Sequence, residues 1–246
     1  MKKPESKLQE LVGQLQQACG ENLVSIVLFG SAAREDFHEQ FSDVNLLVVM
    51  HELKPSSFAP ISKVLRWWSH EEKLRPPMIM TLEELQESAD VFAIELIDIK
   101  DSHKTLFGQD VVAAIEVPMN LHRIEVEHEL RTTLLRLRQH LLLSPDNEDE
   151  LRAVLAKSIT SVLTLFRHAL LALRENPPHA KPQLLNRAAE VFGFAVAPLQ
   201  AILELRSGDG HPENLRELYY AYMSAIQRVA HELDARVPKR HLRNLQ

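Results

Sequence analysis

Two small polar clusters stand inside apolar surroundings. Gly30-Ser31 closes the run Leu23-Val24-Ser25-Ile26-Val27-Leu28-Phe29, and Ser42-Asp43-Val44-Asn45 opens onto Leu46-Leu47-Val48-Val49-Met50. Short apolar, β-branched runs of this kind predict buried strands. A strand ending in Gly-Ser delivers its backbone to the open mouth of a sheet, with a helix starting just beyond. Gly30 has no Cβ, so the main chain there can come close to a ligand. Ser31 and the first amides of the following helix can hold phosphate oxygens, helped by the positive end of the helix dipole. Asp43, at the start of the neighbouring strand, faces the same mouth, where a carboxylate can hold Mg²⁺ against nucleotide phosphates. Gly-Ser after a strand is by itself an ordinary turn; its pairing with Asp43 gives it the functional reading.

The elements that must position these residues follow from the rest of the chain. Leu8, Leu11, Val12 and Leu15 recur at helical spacing before Gly20, which predicts a helix over about 4–19. A helix over 61–72 follows the second strand and carries the adjacent Trp67 and Trp68, which on a regular helix do not share one face. Pro76-Pro77 breaks the chain before a third apolar run, Met78-Ile79-Met80. Thr81-Leu82-Glu83-Glu84 has the spacing of a capped helix start. Val91 to Ile99 is predicted as a fourth strand. After Val117-Pro118 the character changes: 121–143, 148–174, 181–206 and 213–235 all show helical apolar spacing, and strand signals are nearly absent. The expected fold is therefore α+β over 1–118, a mixed sheet with flanking helices, followed by an all-α helical bundle over 119–246.

Bulk properties bound the partners. Of the 246 residues, 45% are hydrophobic and 25% charged, an ordinary globular composition. The formal charge of −6 supplies no global basic field, so nucleic acid is not an expected partner. Cys19 is the single cysteine, which excludes an intrachain disulfide and a multi-thiolate metal site. The twelve histidines lack His-Glu-x-x-His spacing and read as scattered surface residues. No apolar run approaches the ~20 residues that span a bilayer, and the N-terminus lacks the apolar stretch of a signal peptide. The expected location is cytoplasmic, with no membrane partner. Arg131, Arg136 and Arg138 on one long helix read first as a solvated face and second as a basic wall of a cleft. Tyr219, Tyr220 and Tyr222 hold all the tyrosine; packing explains at least one of them, and a stacking surface is the alternative.

Phe29-Gly30-Ser31 followed by Asp43-Val44-Asn45 in a second apolar strand resembles the nucleotidyltransferase superfamily that includes DNA polymerase beta, the minimal nucleotidyltransferases and the aminoglycoside nucleotidyltransferases. The family pattern is an apolar strand, Gly-Ser, a gap, then Asp-x-Asp in another apolar strand. Arg34 matches an arginine common shortly after Gly-Ser in the minimal and aminoglycoside groups. The family usually takes a third carboxylate from a later strand, for which Glu95 is the candidate and Asp98 the competitor. Three apart, these two would point to opposite faces of an ideal strand, so at most one faces the site. The resemblance covers Leu23 to Glu95, and over the helical half it is architectural only. It implies Mg²⁺ held by Asp43, Asn45 and Glu95, with Gly30, Ser31 and Arg34 on the nucleotide. It also implies in-line attack of an acceptor hydroxyl, on a small molecule or a protein, at the α-phosphorus of a nucleoside triphosphate.

Asn45 departs from the pattern, which has aspartate there. Two opposite unit charges 4 Å apart attract by roughly 4 kcal/mol at an effective dielectric near 20, and a divalent ion roughly doubles this. The lost charge weakens the ion site. It leaves open a working variant that takes metal through its amide oxygen, and a nucleotide-binding or regulatory module that turns nothing over. Apolar neighbours on both sides of Asn45 and Glu95 argue against plain surface roles, since buried polar groups need partners. A further reading makes the chain an antitoxin-like member of a nucleotidyltransferase and helical-domain pair. Some such helical domains are ribonucleases with an Arg-x4–6-His motif, a loose spacing met by Arg123 with His128 and by Arg236 with His241.

Overall fold

The computed structural model describes residues 4–33, 44–72, 74–210, 212 and 214–236. They form two compact units, Met1–Pro118 and Met119–Gln246.

The first unit is built on a four-stranded mixed sheet. Helix α1 (Pro4–Cys19) leads into β1 (Leu23–Phe29), and β2 (Asn45–Met50) is followed by α2 (Pro55–Arg66). Next come β3 (Met78–Thr81), α3 (Leu82–Glu87), α4 (Ala93–Asp101) and β4 (His103–Gly108). The strand order is β3-β2-β1-β4, with β1 antiparallel to both neighbours and β2 parallel to β3. Both faces are covered, which is why the two central strands, Ser25 and Asn45 apart, are apolar rather than alternating. On one face Ile26, Leu28, Leu46, Val48 and Met50 pack with Leu11 and Leu15 of α1, Ile61 and Val64 of α2, and Trp68. On the other, Val27, Leu47 and Val49 meet Leu85, Ala89, Leu96 and Ile99. Ser25 is buried in β1, and its hydroxyl donates to the carbonyls of Gln109 (2.8 Å) and Phe107 (3.2 Å).

The capping box at Thr81 forms as its spacing predicts: Thr81 Oγ1 accepts from the Glu84 amide, and Glu84 Oε2 accepts from the Thr81 amide. Two expectations are corrected. Helix α2 begins at Pro55 rather than near Ile61, with its start set by a proline in the first turn, and ends in a π-helical turn, Trp67–Glu71. That wide turn buries Trp68 completely and leaves Trp67 at the edge of the same core. The segment 91–99 is not a strand. It is the turn at Val91 and Phe92 and then most of α4, whose residues Ala93, Ile94, Leu96 and Ile99 are buried. A short apolar run carries no periodicity that separates a buried helix from a buried strand. The fourth strand is instead His103–Gly108, a half-exposed edge with mixed polarity that offers little strand signal.

The second unit contains α5 (Met119–Leu143), α6 (Glu148–Ala172), α7 (Lys181–Phe192), α8 (Val196–Ser207) and α9 (Leu215–Arg236). Helix α6 is central and packs against the other four. It is long and apolar enough to cross a membrane by length and composition alone, but 56% of that stretch is buried within the fold, as in a core helix. The stretch 181–206 is two helices, separated at Gly193, which ends α7 in the left-handed conformation with φ 73°. Tyr219 and Tyr222 are core residues whose hydroxyls meet the Leu137 carbonyl and Ser158 Oγ at 3.0 Å each, while Tyr220 is exposed. His122 and His168 are also buried, hydrogen-bonded Nε2 to Nδ1 at 2.9 Å, which corrects the reading of the histidines as surface residues. Arg131 and Arg136 are exposed, and Arg138 is exposed and donates to Gln227, as expected of a solvated face.

Candidate functional site

The end of β1 turns sharply because Gly30 adopts φ 75°. Its amide donates to the Ser102 carbonyl at 2.9 Å, and Ser102 Oγ donates back to the Gly30 carbonyl at 3.3 Å. Ser102 immediately follows α4, so the C-terminal end of that helix is tied directly to the turn. A single 3-10 turn, Gly30–Ala33, continues the chain and carries Ser31. Across the sheet, Phe29 is paired with Asn45 on one side and His103 on the other. A Cβ on Gly30 would lie 3.3 Å from Asn45 Nδ2. Glycine is therefore favoured by the left-handed backbone, and the close approach of the Asn45 amide means that a Cβ would also push that side chain aside by a few tenths of an ångström. The other side of that amide is also engaged: Arg75 Nη1 donates to Asn45 Oδ1 at 3.5 Å, the outer edge of hydrogen-bonding range. Arg75 is anchored through its own carbonyl, which accepts from the indole Nε1 of buried Trp68 at 2.8 Å.

Of the residues singled out from the sequence, Gly30 and Asn45 are brought into contact, and Ser31 lies in the turn beside them. Asp43 and Arg34 lie outside the described residues. Glu95 sits near the start of α4, a helix that packs against the Gly30 turn. One of its carboxylate oxygens, Oε2, is buried with no hydrogen-bond donor among the described residues. Because the segment is helical, Glu95 and Asp98 lie on the same side of the element; the strand-based expectation of opposite faces is corrected by the helical period. Asp98 is half-buried, and its backbone carbonyl accepts from the Ser102 amide at the end of the helix. At the start of β4, His103 Nε2 lies 3.3 Å from Asp110 Oδ2. Slight burial works to raise the Asp110 pKa, but His103 and the amides of Val112 and Ala113 outweigh it and hold the carboxyl below its ordinary value.

Arg75 and Ser102 carry no signal in the sequence. Arg75 precedes the Pro76-Pro77 break and reaches Asn45 across thirty positions only because β2 and β3 lie side by side. Arg123 is half-buried against Glu127 while His128 is exposed and lies against Glu129, so that pair is not brought together as a site; His241, of the second pair, lies outside the described residues. Among the described residues no group of three His, Cys, Asp or Glu could hold a metal ion.

The nucleotidyltransferase domain model matches residues 6–123. No curated protein matches the chain. The crystal structure of spectinomycin adenyltransferase AAD(9) from Enterococcus faecialis with ATP and spectinomycin is similar over 93% of this chain and 98% of that one, with a TM-score of 0.61 and 19% identity. At that identity the likeness speaks for the fold, and it extends beyond the nucleotidyltransferase domain into the helical half.

Within the nucleotidyltransferase domain, the described residues fit the Mg²⁺ implied by the family unevenly. The donor-free oxygen of Glu95 suits a cation or a proton. The amide oxygen of Asn45 faces a guanidinium, and a second cation there would meet like charge.

Proposed function

We propose that this chain is a nucleotidyltransferase that moves a nucleoside monophosphate from a nucleoside triphosphate to a hydroxyl of a small-molecule or protein acceptor. The observation that carries the reading is the buried, donor-free Oε2 of Glu95 on the helix that packs against the Gly30 turn. A buried carboxylate oxygen without a partner is costly, and a substrate hydroxyl or a bound cation removes the cost. The acceptor oxygen forms a bond to the α-phosphorus, the bond to the bridging oxygen of the pyrophosphate breaks, and the hydroxyl proton passes to the Glu95 carboxylate. Backbone amides of the Gly30–Ala33 turn and the Ser31 hydroxyl hold phosphate oxygens, and Arg34 adds positive charge. Asp43 and Glu95 would hold Mg²⁺, which when bound offsets negative charge on the phosphates. ATP and spectinomycin in the structural neighbour support a nucleoside triphosphate and a small acceptor here.

The test is calorimetric titration with ATP, GTP, CTP and UTP, with and without Mg²⁺, followed by pyrophosphate release in the presence of hydroxyl acceptors. The expected result is nucleotide binding that Asp43→Ala weakens, and acceptor-dependent release that Glu95→Gln lowers by about a hundredfold or more while binding persists. Unchanged release in Glu95→Gln would remove it from the reaction, and no binding of any triphosphate would remove the enzyme reading. Asn45 favours a second reading, a domain that binds nucleotide without turnover. Turnover by the native chain that is lost in Asp43→Ala would end it.

A further inference from the structure

We infer that Arg75 is a phosphate-binding cation of the nucleotide site and that Asn45 is its positioning partner; this rests on the nucleotide-binding reading above. Arg75 follows the π-helical turn and precedes β3, and the buried Trp68 indole fixes its backbone through the 2.8 Å bond to its carbonyl. From there the guanidinium reaches Asn45 Oδ1, on the same amide whose Nδ2 crowds the Cβ position of Gly30. The cation thus stands one side chain away from the glycine turn that would cradle phosphate.

A guanidinium carries five N–H donors in a planar fork, and the contact to Asn45 engages one of them. Arg75 is exposed, and among the described residues it forms no ion pair with a carboxylate. Among the described residues no carboxylate takes up its charge or its remaining donors, and phosphate oxygens match the fork geometry. The residue type at position 45 decides this. An aspartate there would form a charged pair with Arg75 and neutralise it. Asparagine orients the guanidinium through a neutral amide and leaves the positive charge for a ligand. The loss of a carboxylate at 45 and the presence of Arg75 therefore act in one direction. They replace part of the divalent cation's hold on the triphosphate with a fixed protein cation.

The experiment is ATP binding by the full chain, measured by calorimetry in EDTA and in Mg²⁺, for the native protein, Arg75→Gln, Arg75→Lys and Asn45→Asp. Far-ultraviolet melting of each variant checks folding. Arg75→Gln should weaken ATP by at least about tenfold, the ordinary scale for losing a charge-assisted hydrogen bond. Arg75→Lys should retain most of the affinity because it keeps the charge. Asn45→Asp should weaken ATP in EDTA, and Mg²⁺ should restore binding. A folded Arg75→Gln that binds ATP as the native chain does would overturn the assignment of Arg75 while leaving the nucleotide site standing. Arg75→Lys as weak as Arg75→Gln would overturn the role of its charge. Native-like binding of Asn45→Asp in EDTA would overturn the positioning role of Asn45. A native chain that binds no ATP under either condition would overturn this inference and the nucleotide-binding reading together.

Discussion

At the residue scale, the candidate site turns on one backbone angle. Gly30 holds φ 75°, where an L side chain costs roughly 1–2 kcal/mol, and a Cβ there would press on the Asn45 amide at 3.3 Å. Gly30→Ala should therefore lower stability by about 1–2 kcal/mol in urea denaturation and also weaken ATP binding. A merely strained turn remote from ligand would show the first effect without the second. The importance of Gly30 was legible in the sequence only because Gly30-Ser31 at the end of one apolar strand is paired with Asp43 before the next. Arg75 was not, since an arginine beside two prolines has no period or spacing that marks it. Its meaning comes from the Trp68 indole that fixes its carbonyl and from Asn45, thirty positions away.

At the scale of elements, local chemistry predicted what local chemistry decides. The capping box at Thr81 satisfies two amide donors reciprocally, and its residues are three apart in the chain, so the sequence contains the whole interaction. Thr81→Ala should cost about 1 kcal/mol in chemical denaturation, with Thr81→Ser close to native. The segment 91–99 shows the opposite case. Its apolar residues satisfy either a strand or a helix buried on most sides, and the outcome is set by the sheet against which it packs. Val27, Leu47 and Val49 present an apolar face that Leu96 and Ile99 of α4 cover. The edge position in the sheet goes to His103–Gly108, where mixed polarity suits a half-exposed strand. Likewise Gly193 divides 181–206 into two helices, because its left-handed backbone ends α7.

At the scale of the whole molecule, the tryptophans and tyrosines divide by unit. Both tryptophans, Trp67 and Trp68, lie in the first unit, and all three tyrosines lie in α9 of the second. Burial raises the Tyr219 phenol to about 12 and raises Tyr222 as well. Folding favours their neutral forms, so their stabilising contribution is complete below the ordinary phenol pKa near 10. It is lost as pH rises from there towards about 12. The helical unit should accordingly lose on the order of 2 kcal/mol over that window. Its unfolding should be followed by tyrosinate absorbance, and Trp fluorescence should report the first unit separately. Tyr219→Phe should flatten the alkaline loss; an unchanged profile would show that Tyr219 does not govern it.

The sequence by itself determined the strand–Gly-Ser turn, the apolar strand that follows it, the helix cap and the helical character of the second half. Each of these is a property of neighbouring residues: a backbone angle only glycine takes freely, a three-residue cap, an apolar period. Tertiary structure alone decided that 91–99 is a helix, that Ser102 clamps Gly30, that His122 meets His168 inside the bundle, and that Arg75 lies against Asn45. Those outcomes depend on contacts between residues far apart in the chain. Burial against a particular partner, and the need to satisfy polar groups once buried, selects among local conformations that the sequence leaves nearly equal in energy.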